Sequence, residues 1–425
     1  MRKYLPVKHF SGSYYFMIFM LIVVIRTLFT LFYPLNSYQF FAADSNEYVG
    51  LANNILSFNF NFDIGRFIRS PLYPFFIALH KIIFQSYWQN ALIASQILLS
   101  GFTGIYLCLI SKELFKNVPS IVITGLLYSI YLPVFYYVYS FTSETVYMFF
   151  NVVSIYYLLR LLKENRAKHL IGYGVSFSLA YLTRAEILLF VPFVVSLIFY
   201  AYRKNFYDAF KISCSVFIIW FLMTLPWALV NEKIHHSYIT SSNGGKYVFY
   251  LSNSRLGYAD IVETPAIGSP GYDALLNNYN FYNSDYDSII NLASNIKQDA
   301  FFLSAIRWIG NNPDKFIKVK ICNLLNFFLP GLTLNHHSFK DRLIMFIFTL
   351  PFHALFYLGL FQAIRSAGII PHLWILFYFA CMCGFLTLFL YSARFRAYGL
   401  EVYFLIYSSY AITNIIQHSK KLVAA

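Results

Sequence analysis

Residues 14–33 read YYFMIFMLIVVIRTLFTLFY, a run whose only charge is Arg26. At about 1.5 Å per residue such a helix is about 30 Å long, the thickness of a bilayer's hydrocarbon core. Arg2, Lys3 and Lys8 precede it. It is longer than a signal-peptide core and no small-residue cleavage site follows, so it is read as a retained first span. Similar runs recur near 91–111, 118–136, 144–160, 169–183, 186–202, 210–230, 343–363, 371–390 and 399–416, giving about ten spans. The composition agrees: 59% of the 425 residues are hydrophobic and 12% charged, against about 45–50% and 25% in soluble domains. The expected fold is an all-α polytopic membrane protein. A β-barrel would show shorter, alternating segments instead.

The net charge of +14 comes from 32 Lys+Arg and 18 Asp+Glu scattered between the apolar runs. No basic domain results, so topology and membrane lipid phosphates account for the charge and nucleic acid is not a partner. The five cysteines, Cys108, Cys214, Cys322, Cys381 and Cys383, have neither disulfide nor zinc spacing.

With a cytoplasmic N-terminus, the inner segments hold Lys112, Lys116, Arg160, Lys163, Arg166, Lys168, Arg203, Lys204, Lys211, Arg365, Lys420 and Lys421. That is the positive-inside pattern. The long segments 34–90 and 231–342 then lie outside. Three parts are expected: residues 1–230, a transmembrane catalytic module that includes the first outer loop 34–90; residues 231–342, an extracytoplasmic region; and residues 343–425, the last spans. Segment 315–329 is apolar, but Lys315, Lys318 and Lys320 crowd its first two turns. It reads as an interfacial amphipathic helix.

In the first outer loop, DSNEYVGLANNIL (44–56) places Tyr48, Leu51, Ala52 and Ile55 on one helical stripe. Asp44 with Glu47 three residues on reads either as a capping box or as catalytic carboxylates. Arg66 and Arg69 precede Ser70-Pro71-Leu72-Tyr73-Pro74, where they anchor at headgroups or bind phosphate. Glu144 opens a span, and Arg184 with Glu186 fills a short outer turn. Ionisable groups so near the bilayer are paired or functional. Arg394 and Arg396 enter the last span from outside as a candidate phosphate clamp. Asp285 and Asp287 have the spacing of a carboxylate pair that holds a metal-bound nucleotide sugar, but such pairs sit on a soluble α/β domain that this chain lacks; His235 with His236 and His336 with His337 are weak metal candidates, since adjacent side chains diverge on a helix. Arg26 either faces the bundle or snorkels.

Taken in order, D-S-N-E-Y-V-G-L-A (44–52), R-S-P-L-Y-P (69–74), T-S-E (142–144), L-T-R-A-E (182–186), L-P-W-A-L-V-N-E (225–232), S-S-N-G-G (241–245), N-N-P-D-K-F (311–316) and R-F-R-A-Y-G-L-E (394–401) resemble the GT-C superfamily of polytopic glycosyltransferases. The resemblance is to the glycosyltransferase 39 group, related to lipid A aminoarabinose transferase and protein O-mannosyltransferases. It covers most of the chain. Ala397 stands where that group has proline after R-F-R.

The resemblance implies a polyprenyl-phosphate sugar donor, an extracytoplasmic glycan, lipid or protein acceptor, and Asp44 as catalytic base. Glu47, Tyr48, Glu144 and Glu186 would orient sugar or acceptor. Arg69, Arg184, Arg394 and Arg396 would bind the donor phosphate. A divalent metal ion accompanies the carboxylates in some relatives. Transfer by one base opposite the leaving phosphate implies inversion. The expected location is a bacterial inner membrane, with the site on its periplasmic side. A transporter or flippase for a lipid-linked or anionic substrate is the competing reading, against which stand the absence of an internal repeat and the gathering of ionisable groups at the outer boundary.

Overall fold

The computed structural model describes residues 12–32, 42–263, 284–332, 339–389 and 392–423. Arg2, Lys3, Lys8, His336 and His337, and the side chains of Asp285, Asp287, Lys420 and Lys421, lie outside the described residues.

The helices in chain order are α1 (Gly12–Phe32), α2 (Ala42–Leu56), α3 (Leu72–Phe84), α4 (Trp88–Phe115), α5 (Val118–Ile130), α6 (Phe135–Tyr139), α7 (Glu144–Lys163), α8 (Ala167–Thr183), α9 (Val191–Ala201) and α10 (Phe206–His235). There follow α11 (Gly245–Ser252), α12 (Arg255–Tyr258), α13 (Ser284–Ile290), α14 (Ser294–Asn311), α15 (Pro313–Phe328), α16 (Phe339–Ala367), α17 (Leu373–Leu388), α18 (Ala393–Arg396) and α19 (Val402–Val423). Among the described residues the one β feature is an isolated bridge between Asp63 and Ile68.

The described residues of the expected spans fall on helices, but those at 169–183, 186–202 and 399–416 are not among the stretches long and apolar enough to cross a membrane by themselves. Among the described residues six stretches are long and apolar enough to cross a membrane: Gly12–Phe32, Leu72–Phe115, Glu144–Lys163, Phe206–His235, Phe339–Ala367 and Ile370–Leu388. The pair Val118–Ile130 and Leu132–Tyr139, bent by 55°, makes a seventh. Within Leu72–Phe115 the chain reverses at Gln85 (φ 46°). There α3 turns back along α4, joined to it by Tyr73 to Gln96 at 3.0 Å and His80 to Ser95 at 2.8 Å.

The last helix, α19, is more polar because protein rather than lipid surrounds it. Ser408, Ser409 and Thr413 are buried and receive or give hydrogen bonds from Ser120, Thr124 and to the Phe352 carbonyl. A polar group at this depth must find such a partner. At Gly359 of α16 an added Cβ would run into the Tyr407 carbonyl, so only glycine permits the α16–α19 approach.

Arg26 faces the bundle and not the lipid: it is 1% exposed and donates to the carbonyls of Tyr128 (2.9 Å) and Ser129 (3.0 Å). A cation there complements the orphan carbonyls at the C-terminal end of α5. Its guanidinium also lies 3.6 Å from the Phe135 ring centroid. It thus pins the bend that leads into α6.

One end of the bundle gathers the start of α7, the end of α8, the end of α10 and the start of α19. The opposite end holds Arg160 and Lys163, both bonded to Glu113. Segment 315–329 is helical as expected, as α15.

Candidate active site

The loop after α2 is a series of Asx turns. Asn59 Oδ1 accepts from Asn61 N, Asn61 Oδ1 from Asp63 N, and Asp63 Oδ1 from Gly65 N, at 2.8–3.0 Å. Gly65, at φ 85°, supplies the left-handed residue that folds the chain back. The returning strand bonds Arg69 N to Phe62 O at 3.1 Å. Arg66 and Arg69 are therefore mounted on a stiff bracket rather than a free loop.

The S-S-N-G-G segment holds this bracket from behind. Asn243 Oδ1 accepts from Ile68 N at 2.7 Å, and the Ser70 and Ser241 hydroxyls meet at 2.9 Å. Gly244 packs on the Phe67 ring with no room for a Cβ. L-P-W-A-L-V-N-E supports the segment in turn: Trp227 Nε1 donates to Ser241 O (3.1 Å) and Asn231 Nδ2 to Ile239 O (2.8 Å).

Asp44 lies in the first turn of α2, because that helix begins three residues earlier than an N-cap at Asp44 implies. Its oxygens do not cap the backbone. Oδ1 accepts from Arg69 Nη2 at 2.8 Å and Oδ2 from Arg394 Nη1 at 2.6 Å. Glu47, one turn on, is held by Arg66 and by Arg69 Nε at 3.1 Å, so the capping-box reading does not hold for it. The apolar stripe of α2 does pack inward, with Tyr48, Leu51 and Ala52 buried.

Glu144, fully buried at the start of α7, accepts from Arg394 Nε at 2.6 Å and Arg184 Nη1 at 2.9 Å. Arg184 Nε reaches Glu186 at 2.5 Å, and Tyr398 OH donates to the same Glu186 oxygen at 2.9 Å. The charges thus alternate without a break: Glu186, Arg184, Glu144, Arg394, Asp44, Arg69, Glu47, Arg66. Tyr48 OH meets Ser143 Oγ at 3.1 Å, and that hydroxyl accepts from Arg184 at 3.2 Å, bracing the two halves.

Burial alone would raise the Asp44 pKa, but the guanidiniums of Arg69 and Arg394 outweigh it and bring the carboxyl down to about 2. Asp44 is ionised at neutral pH. Asp44, Glu47, Glu144 and Glu186 each already have an arginine, and among the described residues no three His, Cys, Asp or Glu side chains are grouped to hold a metal. A divalent cation would meet guanidiniums on all sides, and the residues present do not fit one.

Of the predicted site residues, Asp44, Glu47, Tyr48, Arg69, Glu144, Arg184, Glu186 and Arg394 come together. Arg396 does not. Residues two apart on a helix point about 200° from each other, so the expected clamp with Arg394 cannot form. Arg396 is 1% exposed and donates to Glu401 at 2.5 Å and to the carbonyls of Asn326, Phe327, Leu329 and Gly331 at 2.6–2.9 Å. It fastens the end of α15 to the π-helical turn Ala397–Glu401. His235 ends α10 and His236 follows it with φ 52°, on diverging backbone. Ser143 and Tyr398 are site residues that the sequence pattern left unassigned, although both stand inside quoted motifs.

Residues 69–229 match the family model described as dolichyl-phosphate-mannose-protein mannosyltransferase. Among curated proteins no match is found. Among solved structures, the oligosaccharyltransferase of Archaeoglobus fulgidus in its apo form aligns over 98% of this chain and 52% of its own, with 14% identity and a TM-score of 0.59. The chain spans about half the length of that enzyme. ArnT from Cupriavidus metallidurans aligns over 87% of this chain and 73% of its own, in its apo state (12% identity, TM-score 0.36) and bound to undecaprenyl phosphate (11%, 0.37).

Proposed function

On the premise of the GT-C fold, we propose that the chain is a membrane glycosyltransferase that moves a sugar from a polyprenyl-phosphate donor to an acceptor outside the cytoplasm. The observation that carries this is Asp44, a half-buried carboxylate held between Arg69 and Arg394 at the boundary of the spans. The description of the matched family names a dolichyl-phosphate-linked sugar, which supports a lipid-phosphate donor.

Such a transfer needs two things. An acceptor hydroxyl attacks well only as its proton is removed, and a carboxylate within hydrogen-bond reach removes it. The leaving lipid phosphate needs planar, permanently charged donors, which Arg69, Arg184 and Arg394 supply. These two needs interlock in the charge chain. A donor phosphate that draws Arg394 and Arg69 toward itself takes them from Asp44, whose carboxylate then becomes a stronger base when the substrate is in place. Glu144 and Glu186 keep Arg184 and Arg394 aimed, and Glu47 does the same for Arg69. Attack from the face opposite the phosphate gives inversion. The positive-inside rule, applied to Arg160, Lys163 and their neighbours, supports a site on the extracytoplasmic side.

The test is Asp44→Asn, which keeps size and polarity but accepts no proton. Transfer from a polyprenyl-phosphate sugar by purified protein in lipid falls at least about 10²-fold, and a single cooperative melting transition in the variant, below that of wild type, sets aside misfolding. Transfer at the wild-type rate would remove Asp44 as base.

A further inference from the structure

Beside the S-S-N-G-G segment lies a cavity of about 460 Å³, well inside the range of about 300–1,000 Å³ typical of small-molecule sites. We propose that this cavity is the acceptor site and that its ligand is a polyhydroxylated, carbohydrate acceptor. The proposal rests on the glycosyltransferase reading above for the word acceptor, but its binding chemistry stands on the lining.

Ser237 and Ser242 bring hydroxyls and Asn243 its amide nitrogen to the lining, while both ends of the Gln298 amide are bonded to Tyr247 N and the Arg66 carbonyl. Such hydroxyls both donate and accept, as those of a sugar ring do. Lys246 and Asp299 line the cavity as an ion pair that neutralises itself, so a polyanion finds no net cationic wall there. Ile68 and Ile239 are the aliphatic side chains of the lining, too few to cover an acyl chain. His235 Nε2 is buried with no hydrogen-bond partner among the described residues, and His235 faces this cavity.

Position supports the same role. Ile68, whose N–H is held by Asn243, immediately precedes Arg69, the partner of Asp44. Gln298 Nε2 donates to the Arg66 carbonyl at 2.7 Å. The cavity and the charge chain therefore share one wall, the bracket of residues 65–69.

Gly245 also lines the cavity, and a Cβ added there meets nothing within 4 Å, so Gly245→Trp fills the space without a clash at its root. Ser237→Trp fills it from the α10 side. The experiment is ligand-observed NMR on the full chain in lipid nanodiscs without donor, using maltohexaose and diacetylchitobiose, an uncharged Ser/Gly/Ala hexapeptide, and lysophosphatidylcholine as probes. Undecaprenyl phosphate binding is measured in parallel. The expected result is saccharide binding that weakens at least tenfold in both Trp variants and persists in Gly245→Ala, with undecaprenyl phosphate bound equally by all. Saccharide binding undiminished in both Trp variants, or binding of the peptide or lysolipid alone, would overturn the proposal. Failure of wild-type protein to bind undecaprenyl phosphate sinks the donor assignment instead, and leaves the saccharide comparison to be judged by itself.

Discussion

The carboxylate of Asp44 and the guanidinium of Arg394 meet at 2.6 Å although 350 positions separate them in the chain. Arg394 also holds Glu144 through Nε and Nη2. One planar fork therefore serves two carboxylates from two different helices, and a single ammonium has no geometry to do the same.

Arg394→Lys is therefore expected to lower donor affinity and transfer together while leaving the protein folded. A loss of about 1.5–3 kcal/mol, or roughly one to two decades in donor affinity, follows from one charged hydrogen bond. Titration of undecaprenyl phosphate against wild type, Arg394→Lys and Arg394→Ala checks the order Arg, Lys, Ala. Equal affinities would place the phosphate elsewhere, with Arg69 and Arg184 next to be tested.

Acid sensitivity follows from the depressed Asp44 pKa. In the folded protein the carboxyl titrates near 2, against about 3.9 for a free aspartate. The unfolded chain takes up the proton first, so the contribution of Asp44 to stability is complete above about pH 4 and is lost as the pH falls through about 2. The melting difference between wild type and Asp44→Asn should shrink over that window. A difference that stays constant down to pH 2.5 would show that Asp44 is not held by its arginines.

Arg396 acts on stability. Arg396→Ala removes the donor from four backbone carbonyls and leaves Glu401 buried. Breaking a buried pair in this way costs about 3–5 kcal/mol. Purified Arg396→Ala should melt far below wild type, while folded Arg396→Lys binds undecaprenyl phosphate normally. Reduced lipid binding in a fully stable Arg396→Lys would return this arginine to the donor site.

Topology is checked by cysteine labelling on a background without the five native cysteines. Position 163, 46% exposed in its side chain, is expected to label from the cytoplasm, and position 299, 64% exposed, from outside. Labelling of both from one side would contradict the arrangement.

What the sequence made legible was whatever depends on short-range pattern. The spans followed from length and apolarity, and the buried face of α2 from the spacing of Tyr48, Leu51 and Ala52. The eight side chains of the charge chain were recognisable because an ionisable group beside a bilayer needs a reason. Long-range facts were not legible. Nothing local tells Arg394 from Arg396, since which face each takes depends on where α18 lies against α15 and α7. Asp44 looked equally like a cap until Arg69 and Arg394 were seen on its two oxygens. Arg26 was undecided for the same reason: its partners are carbonyls more than 100 positions away.

The alternating charge chain also bears on how the protein is made. As the polypeptide enters the membrane from its N-terminus, it brings in Asp44, Glu47, Glu144 and Glu186 together with Arg66, Arg69 and Arg184, four carboxylates against three guanidiniums. The missing cation, Arg394, is delivered only with the final helix. Until then Glu144, fully buried in the finished protein, has Arg184 alone, and Asp44 has Arg69 alone. The N-terminal half thus remains electrically incomplete throughout synthesis, and a chain truncated before α18 carries that defect permanently, which marks it as unfinished to any system that detects unpaired charge within the bilayer.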